Sequence, residues 1–248
     1  MKNPSRFDAL DVVRGLAMLW MTVFHFCFDL ANLKLIQQNF YTDPFWTVQR
    51  TAIVSVFLWC AGFSQAIVLQ QGQSSARFWR RWGQIAGCAA LVTIGSMLMF
   101  PKSFIYFGVL HGMAVMLIIV RFTAHGERSL WLAGAVALFL PSLAAWGMQA
   151  NVLSPQLNAV PWNILGLISQ KPITEDYVPI LPWLGIMWWG MASGQWWLRH
   201  PEIFWQLPLP LQWLKPVAFL GRWSLTYYML HQPVILAGLW VWMRLTVT

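Results

Sequence analysis

Three histidines, His25, His111 and His231, lie inside apolar stretches long enough to cross a bilayer, and the first is followed one helical turn later by Asp29. Ionisable groups are expensive in hydrocarbon and are kept there for a reaction, a proton path or a partner. An imidazole and a carboxylate at i and i+4 are neighbours on a helix surface. Asp29 can therefore fix the tautomer of His25 and stabilise the imidazolium formed when His25 takes a proton. The same helix gathers Asp11, Arg14, Gly15, Met18, Thr22, His25 and Asp29 within a sector of roughly 100°, whereas Leu16, Leu19, Trp20, Val23 and Phe24 lie mostly elsewhere. Lipid cannot solvate such a polar face, so it must turn into a bundle interior or a hydrated cavity.

Hydropathy sets the elements that position these groups. The chain has 248 residues, 58% of them hydrophobic and 10% charged, with 18 tryptophans; a soluble domain carries about a quarter charged residues. An all-α, polytopic membrane helix bundle follows. A spanning helix needs roughly 20 apolar residues, which selects seven stretches: 12–30, 45–69, 83–100, 105–122, 130–148, 178–198 and 219–245. The proline- and tryptophan-rich connections at 149–177 and 199–215 have room for re-entrant or interfacial helices, giving a range of 7–9. Residues 1–248 read as a single transmembrane domain without an internal repeat. The N-terminus is basic at Lys2 and Arg6, but Asp11 and Arg14 interrupt its apolar region, so it reads as a retained first span and not a cleaved signal. With that terminus in the cytoplasm, eleven of the 16 lysines and arginines fall on the inner side. The net charge of +8 is then a topology signal, not a nucleic-acid footprint. Cys27, Cys60 and Cys88 all lie within spans and show no metal or redox spacing, and there is no GxGxxG or P-loop motif.

Counting about 1.5 Å per residue from the helix ends places His25 roughly 20 Å above the inner boundary, with Arg50 and His111 at about the same height. His231 falls nearer the midplane, on a stripe with Ser224, Tyr227 and Tyr228, and Pro233 beyond it should kink the helix. His111 and His231 could equally be hydrogen-bond links between helices. Asp176 and Tyr177 stand at the outer mouth of the sixth stretch. At the inner mouth of the third, Arg77, Arg80 and Arg81 cluster with Trp79 and Trp82. Such a cluster anchors a helix on the positive side, or offers planar donors to phosphates and a ring to stack on adenine, as acyl-coenzyme A requires.

The segments Leu10 to Ala17 (LDVVRGLA) with His25 and Asp29, Phe104 to His111 (FIYFGVLH), Asp176 to Gly185 (DYVPILPWLG) and Gly221 to Pro233 (GRWSLTYYMLHQP) resemble, in the same order, the heparan-α-glucosaminide N-acetyltransferase-like membrane acyltransferases. The resemblance implies transfer of an acyl group, in the first place acetyl, from cytosolic acyl-CoA to a hydroxyl or amine on a sugar or lipid-linked glycan at the outer side. It implies an intramembrane histidine at the centre of the chemistry, and no metal. His25 and Asp29 are then the catalytic pair. Arg50, His111, Asp176, Trp183 and His231 would bind substrate, and Arg14, Arg77, Arg80 and Arg81 would hold the donor. The partners expected are membrane lipid, acyl-CoA and the acceptor, with no nucleic acid. A homo-oligomer and a bacterial inner membrane are both compatible with this composition. The rival from another class is a proton-coupled transporter or flippase, for which paired Gly/Pro-interrupted helices in two related halves would be expected. A non-catalytic scaffold gives no reason for the stripe on the first helix.

Overall fold

The computed structural model describes residues 8–124, 126–200 and 213–246. They form α1 (Asp8–Asn32), α2 (Pro44–Gln70), α3 (Ser75–Met99), α4 (Val109–Phe122), α5 (Glu127–Gln149), α6 (Ile180–Arg199), α7 (Lys215–Arg222) and α8 (Ser224–Thr246). Among the described residues the only strand-like pairing is an isolated bridge between Phe107 and Tyr177. The chain is all-α. Helices α1, α2, α3 and α5 are long and apolar enough to cross a membrane, and α4 is a shorter apolar helix. Helices α6 and α8 occupy the sixth and seventh expected stretches.

Several expected boundaries move for physical reasons. The third helix begins at Ser75, not near Gly83, so Arg77, Arg80 and Arg81 ride on its first turns. The fourth begins only at Val109, because Phe104 to Gly108 is tied in extended form to the segment before α6. The last expected span is two helices, broken at Trp223 after Gly221. Pro233 lies inside α8 without dividing it, as Pro141 does in α5. The long connection after α5 carries two short 3-10 turns, Pro155–Asn158 and Trp162–Leu165. Most of the 199–215 connection, with Lys2, Arg6 and His125, lies outside the described residues.

The chain divides into two compact units, with the boundary inside α2 between Phe57 and Leu58. The first unit contains α1, the start of α2, α7 and α8. In α1 the apolar side faces outward: Val13, Leu16, Leu19, Trp20, Val23 and Phe26 are exposed, Val23 at 62%, while Asp11, Gly15, Met18 and Asp29 are buried. This is the pattern of a helix whose surroundings are lipid and whose polar face needs protein. Phe24 departs from the stripe and packs edge-on against Phe40 and Trp46 in an aromatic cluster. Helices α1 and α7 approach so closely that a methyl at Gly15 would strike the Val217 carbonyl, and one at Gly221 the Asp11 carbonyl. Small residues at membrane helix crossings allow this contact between backbones.

The second unit contains the rest of α2 with α3 to α6. There α2 and α6 meet in the same way, Gly62 against the Met187 carbonyl and Gly190 against the Trp59 carbonyl, around the fully buried Leu58, Met187 and Met191. None of the three cysteines forms a disulfide, and Cys60 is fully buried.

Candidate functional site

In the first unit α1 and α8 run side by side in the same direction, and their polar residues meet in three rungs. The Thr22 and Tyr227 hydroxyls are 2.6 Å apart. One turn on, the imidazoles of His25 and His231 meet at 5.1 Å between ring centroids, inclined by 63°. Another turn on, Gln232 Nε2 donates to both oxygens of Asp29, at 2.9 and 2.8 Å. The expected pairing is therefore corrected. Among the described residues Asp29 makes no hydrogen bond to His25; its carboxylate is taken by an amide from α8. A primary amide carries two N–H groups in a plane and satisfies a buried carboxylate better than one ring nitrogen of the same helix. The ring of His231 also lies parallel to that of Tyr227, 6.0 Å away, and its Nδ1 donates to the Tyr228 carbonyl at 2.7 Å.

The foot of the same helix pair is ionic. Arg14 Nη1 donates to Asp11 at 3.0 Å, and Arg222 reaches both Asp8, at 2.9 Å, and Asp11, at 3.5 Å. Arg14, expected to hold the donor, has its guanidinium paired with Asp11, because a carboxylate three residues back on a helix lies within its reach. Arg50, on α2 in the same unit, is half-buried and makes no ion pair or hydrogen bond with the described residues. It remains available to an anion.

His111 and Asp176 belong to the second unit, so the group His25, Arg50 and His111 is divided between the two. There the segment from Ser103 to Val109 is fastened to the segment from Thr174 to Val178. Glu175 N–H donates to the Ser103 carbonyl and Val178 N–H to the Phe107 carbonyl. Asp176 Oδ2 accepts from Val109 N–H at 2.7 Å, a carboxylate at the start of α4, where the unpaired N–H groups and the helix dipole favour it. His111, three residues into α4, takes the Gly108 N–H on Nδ1 at 3.3 Å and donates from Nε2 to Thr93 Oγ1 at 2.9 Å; Thr93 in turn donates to the Ile105 carbonyl. Both nitrogens of His111 are spent on holding this joint. Asn163, 1% exposed, donates to the Tyr106 hydroxyl at 2.8 Å, and its carbonyl accepts from Tyr177 Oη. Burial pushes the Tyr177 phenol above its ordinary pKa, and the neighbouring Tyr106 adds to the effect; burial raises Tyr106 as well. Trp183 lies half-buried on α6.

At the opposite end of this unit Arg77, Arg80 and Arg81 are exposed on the first turns of α3. Trp82 Nε1 is bound to the Ala114 carbonyl, while Trp79 is exposed and packs edge-on against Trp82. Arg121, from the end of α4, lies 4.7 Å over the Phe78 ring and donates to the Gln73 carbonyl. Arg199 and Glu127 form an ion pair at this end too. Three exposed guanidinium groups beside an exposed indole fit a phosphate-bearing ligand.

The residue that sequence reasoning missed is Gln232. An amide inside a spanning helix is itself a signal, since hydrocarbon offers it no partner, and here it stands next to His231. No match is found among curated proteins or among solved structures. Residues 6–233, nearly the whole chain, match the family described as heparan-alpha-glucosaminide N-acetyltransferase, catalytic. With its apolar helices and inward-facing polar rungs, the chain belongs to this family of membrane acetyltransferases.

Proposed function

We propose that this protein moves an acyl group, in the first place acetyl, from acyl-CoA to a hydroxyl or amine of a sugar or lipid-linked glycan on the far side of the membrane. The single observation that carries this reading is the three-rung contact between α1 and α8, which places two imidazoles side by side at the interface of apolar helices. Acyl-CoA supplies the activated carbonyl as a thioester. An imidazole of the ladder takes the acceptor's proton. His25, nominated by the sequence, stands at the middle rung, and Asp29 keeps α8 in register through Gln232. Arg50 is suited to the oxyanion that develops on the thioester carbonyl. Arg77, Arg80 and Arg81 take the donor's phosphates. Their end of the second unit also holds Arg121 and Arg199, which supports a cytoplasmic placement of that end. His111 and Asp176 serve the reaction by fixing the start of α4, and Trp183 contributes an aromatic surface to the acceptor. A bacterial inner membrane and about seven spans complete the reading.

Thermal unfolding of the full chain in detergent tests it. Coenzyme A should raise the midpoint where glucose does not. The double change Arg80→Gln and Arg81→Gln should weaken that protection at least about tenfold, roughly 1.4 kcal/mol, the scale of one charge-assisted phosphate contact. His25→Ala should lower release of coenzyme A from acetyl-CoA while leaving the protection in place. Absence of protection, together with proton-gradient-driven solute flux in liposomes, would mean a transporter.

A further inference from the structure

The fold treats the two ring nitrogens of His231 differently. The residue is 8% exposed. Its Nδ1 lies 2.7 Å from the Tyr228 carbonyl oxygen; a carbonyl can only accept, so Nδ1 carries the hydrogen. A neutral imidazole has one N–H, so Nε2 holds the lone pair. That atom is buried and has no hydrogen-bond partner. The neighbouring Gln232 is in the same condition. With Nε2 committed to the Asp29 carboxylate, its Oε1 must face away from that negative charge, and Oε1 too is buried without a partner.

Five buried side-chain atoms lack a partner among the described residues, and these two belong to consecutive residues of α8 at the candidate site. Both are acceptors, and what they lack is a donor. Buried polar atoms are almost always paired, so an adjacent pair of vacant acceptors asks for an explanation. A histidine that only links helices spends both nitrogens on the protein, as His111 does with Gly108 and Thr93. His231 is oriented by one nitrogen and leaves the basic one open. A general base is held in this way, its tautomer set by a hydrogen bond on the far side of the ring.

We propose that Nε2 of His231 is the general base of the transfer. This rests on the acyltransferase reading above and assigns its proton-accepting atom. As the acceptor's oxygen or nitrogen attacks the thioester carbonyl carbon, its proton passes to His231 Nε2. The new C–O or C–N bond forms, the C–S bond breaks, and the electron pair stays on sulfur. The proton then passes from Nε2 to that thiolate, leaving His231 neutral for the next turnover. His25, in an inclined ring contact with His231, is then a positioning residue.

The test uses the purified full chain in detergent, with acetyl-CoA as donor and glucosamine or hydroxylamine as acceptor. The amide nitrogen of asparagine can stand in for Nδ1, so His231→Asn should keep the bond to Tyr228, the unfolding midpoint and the protection by coenzyme A. Its turnover with glucosamine should fall about 100- to 10,000-fold, the range for loss of a general base. Hydroxylamine, a strong neutral nucleophile that needs little base assistance, should react with the variant at close to the parental rate; a merely structural defect would slow both acceptors alike. If His231→Asn does not survive extraction, His231→Ala supplemented with imidazole replaces it, and recovery of turnover by imidazole is the supporting result. A folded variant that retains turnover, or that slows both acceptors equally and resists imidazole, overturns the assignment while leaving the acyltransferase reading intact. A parent protein that neither binds coenzyme A nor releases it from acetyl-CoA overturns both.

Discussion

The contact between Asp29 and Gln232 can be tested by coupling energies. Asp29 is 4% exposed and accepts from a single amide nitrogen at 2.9 and 2.8 Å, a contact shared between two oxygens that counts as roughly one good charge-assisted hydrogen bond. In a soluble protein such a bond is worth about 1.5–3 kcal/mol. Between membrane helices measured couplings average about 0.6 and reach about 1.7 kcal/mol, because the separated helices find other partners. The carboxylate's charge and burial push this pair to the upper part of the membrane range, so the Asp29→Ala and Gln232→Ala cycle should give a coupling of about 1–2 kcal/mol. The Asp29→Ala and His25→Ala cycle should give less than about 0.5 kcal/mol, since no hydrogen bond joins those side chains. Each cycle needs four proteins unfolded by denaturant in one detergent, with the coupling taken as the departure from additivity. A coupling of Asp29 to His25 equal to or larger than that to Gln232 would show that the i, i+4 pair is the physical unit and that the interhelical rung is incidental.

Two further outcomes follow from contacts elsewhere in the fold. Gly221→Ala places a methyl against the Asp11 carbonyl and the Gly15 nitrogen, so α7 must retreat from α1 at a cost of about 1–3 kcal/mol; a lowered unfolding midpoint together with lost turnover is expected, because α8 and its rungs follow α7 directly. Tyr177→Phe removes the phenol that donates to the Asn163 carbonyl and should cost about 1–2 kcal/mol. Both Tyr177 and Tyr106 have pKa values raised by folding, so the stability they contribute is whole below the unfolded tyrosine value of about 10 and declines as pH rises above it. Unfolding midpoints between pH 8 and 11 should drop less steeply at the alkaline end for Tyr177→Phe than for the parent, and an unchanged slope would contradict the burial argument.

What the sequence made legible was mostly periodicity. The sector containing Asp11, Gly15, Thr22, His25 and Asp29 turns inward and the outer face of α1 is Leu and Val, as a helix in lipid requires. Choice of partner was not legible. His25 and Asp29 look made for each other on an isolated helix, but α8 runs parallel to α1 and brings Gln232 to the same carboxylate. The stripe placed Asp11 and Arg14 on one face, but their ion pair shows only in the structure. The apolar run at 105–122 could not distinguish extended chain from helix by hydropathy alone; the boundary is set at Gly108 by Asp176, which lies 67 positions beyond Val109 in the chain. Histidine at the third position of α4 becomes a capping residue only once that boundary is known.

The four segments that carried the family resemblance also turn out to be two joints. LDVVRGLA and GRWSLTYYMLHQP meet along α1, α7 and α8; FIYFGVLH and DYVPILPWLG meet at the start of α4. The joints share a construction. Each has glycine where a side chain would collide with its partner, Gly15 and Gly221 in one and Gly108 beneath Asp176 in the other. Each has a carboxylate engaged by a donor from the opposite segment, and each has a histidine. In the joint at α4 the histidine, the acid and the glycine close a complete set of hydrogen bonds, which makes a rigid corner. In the joint of α1 and α8 the set does not close: His231 Nε2 and Gln232 Oε1 are both buried without a partner. Asn163 Oδ1 at the α4 joint is likewise buried without a partner, so what distinguishes the joint of α1 and α8 is that one of its open acceptors is a histidine nitrogen, which can take a proton where an amide oxygen cannot.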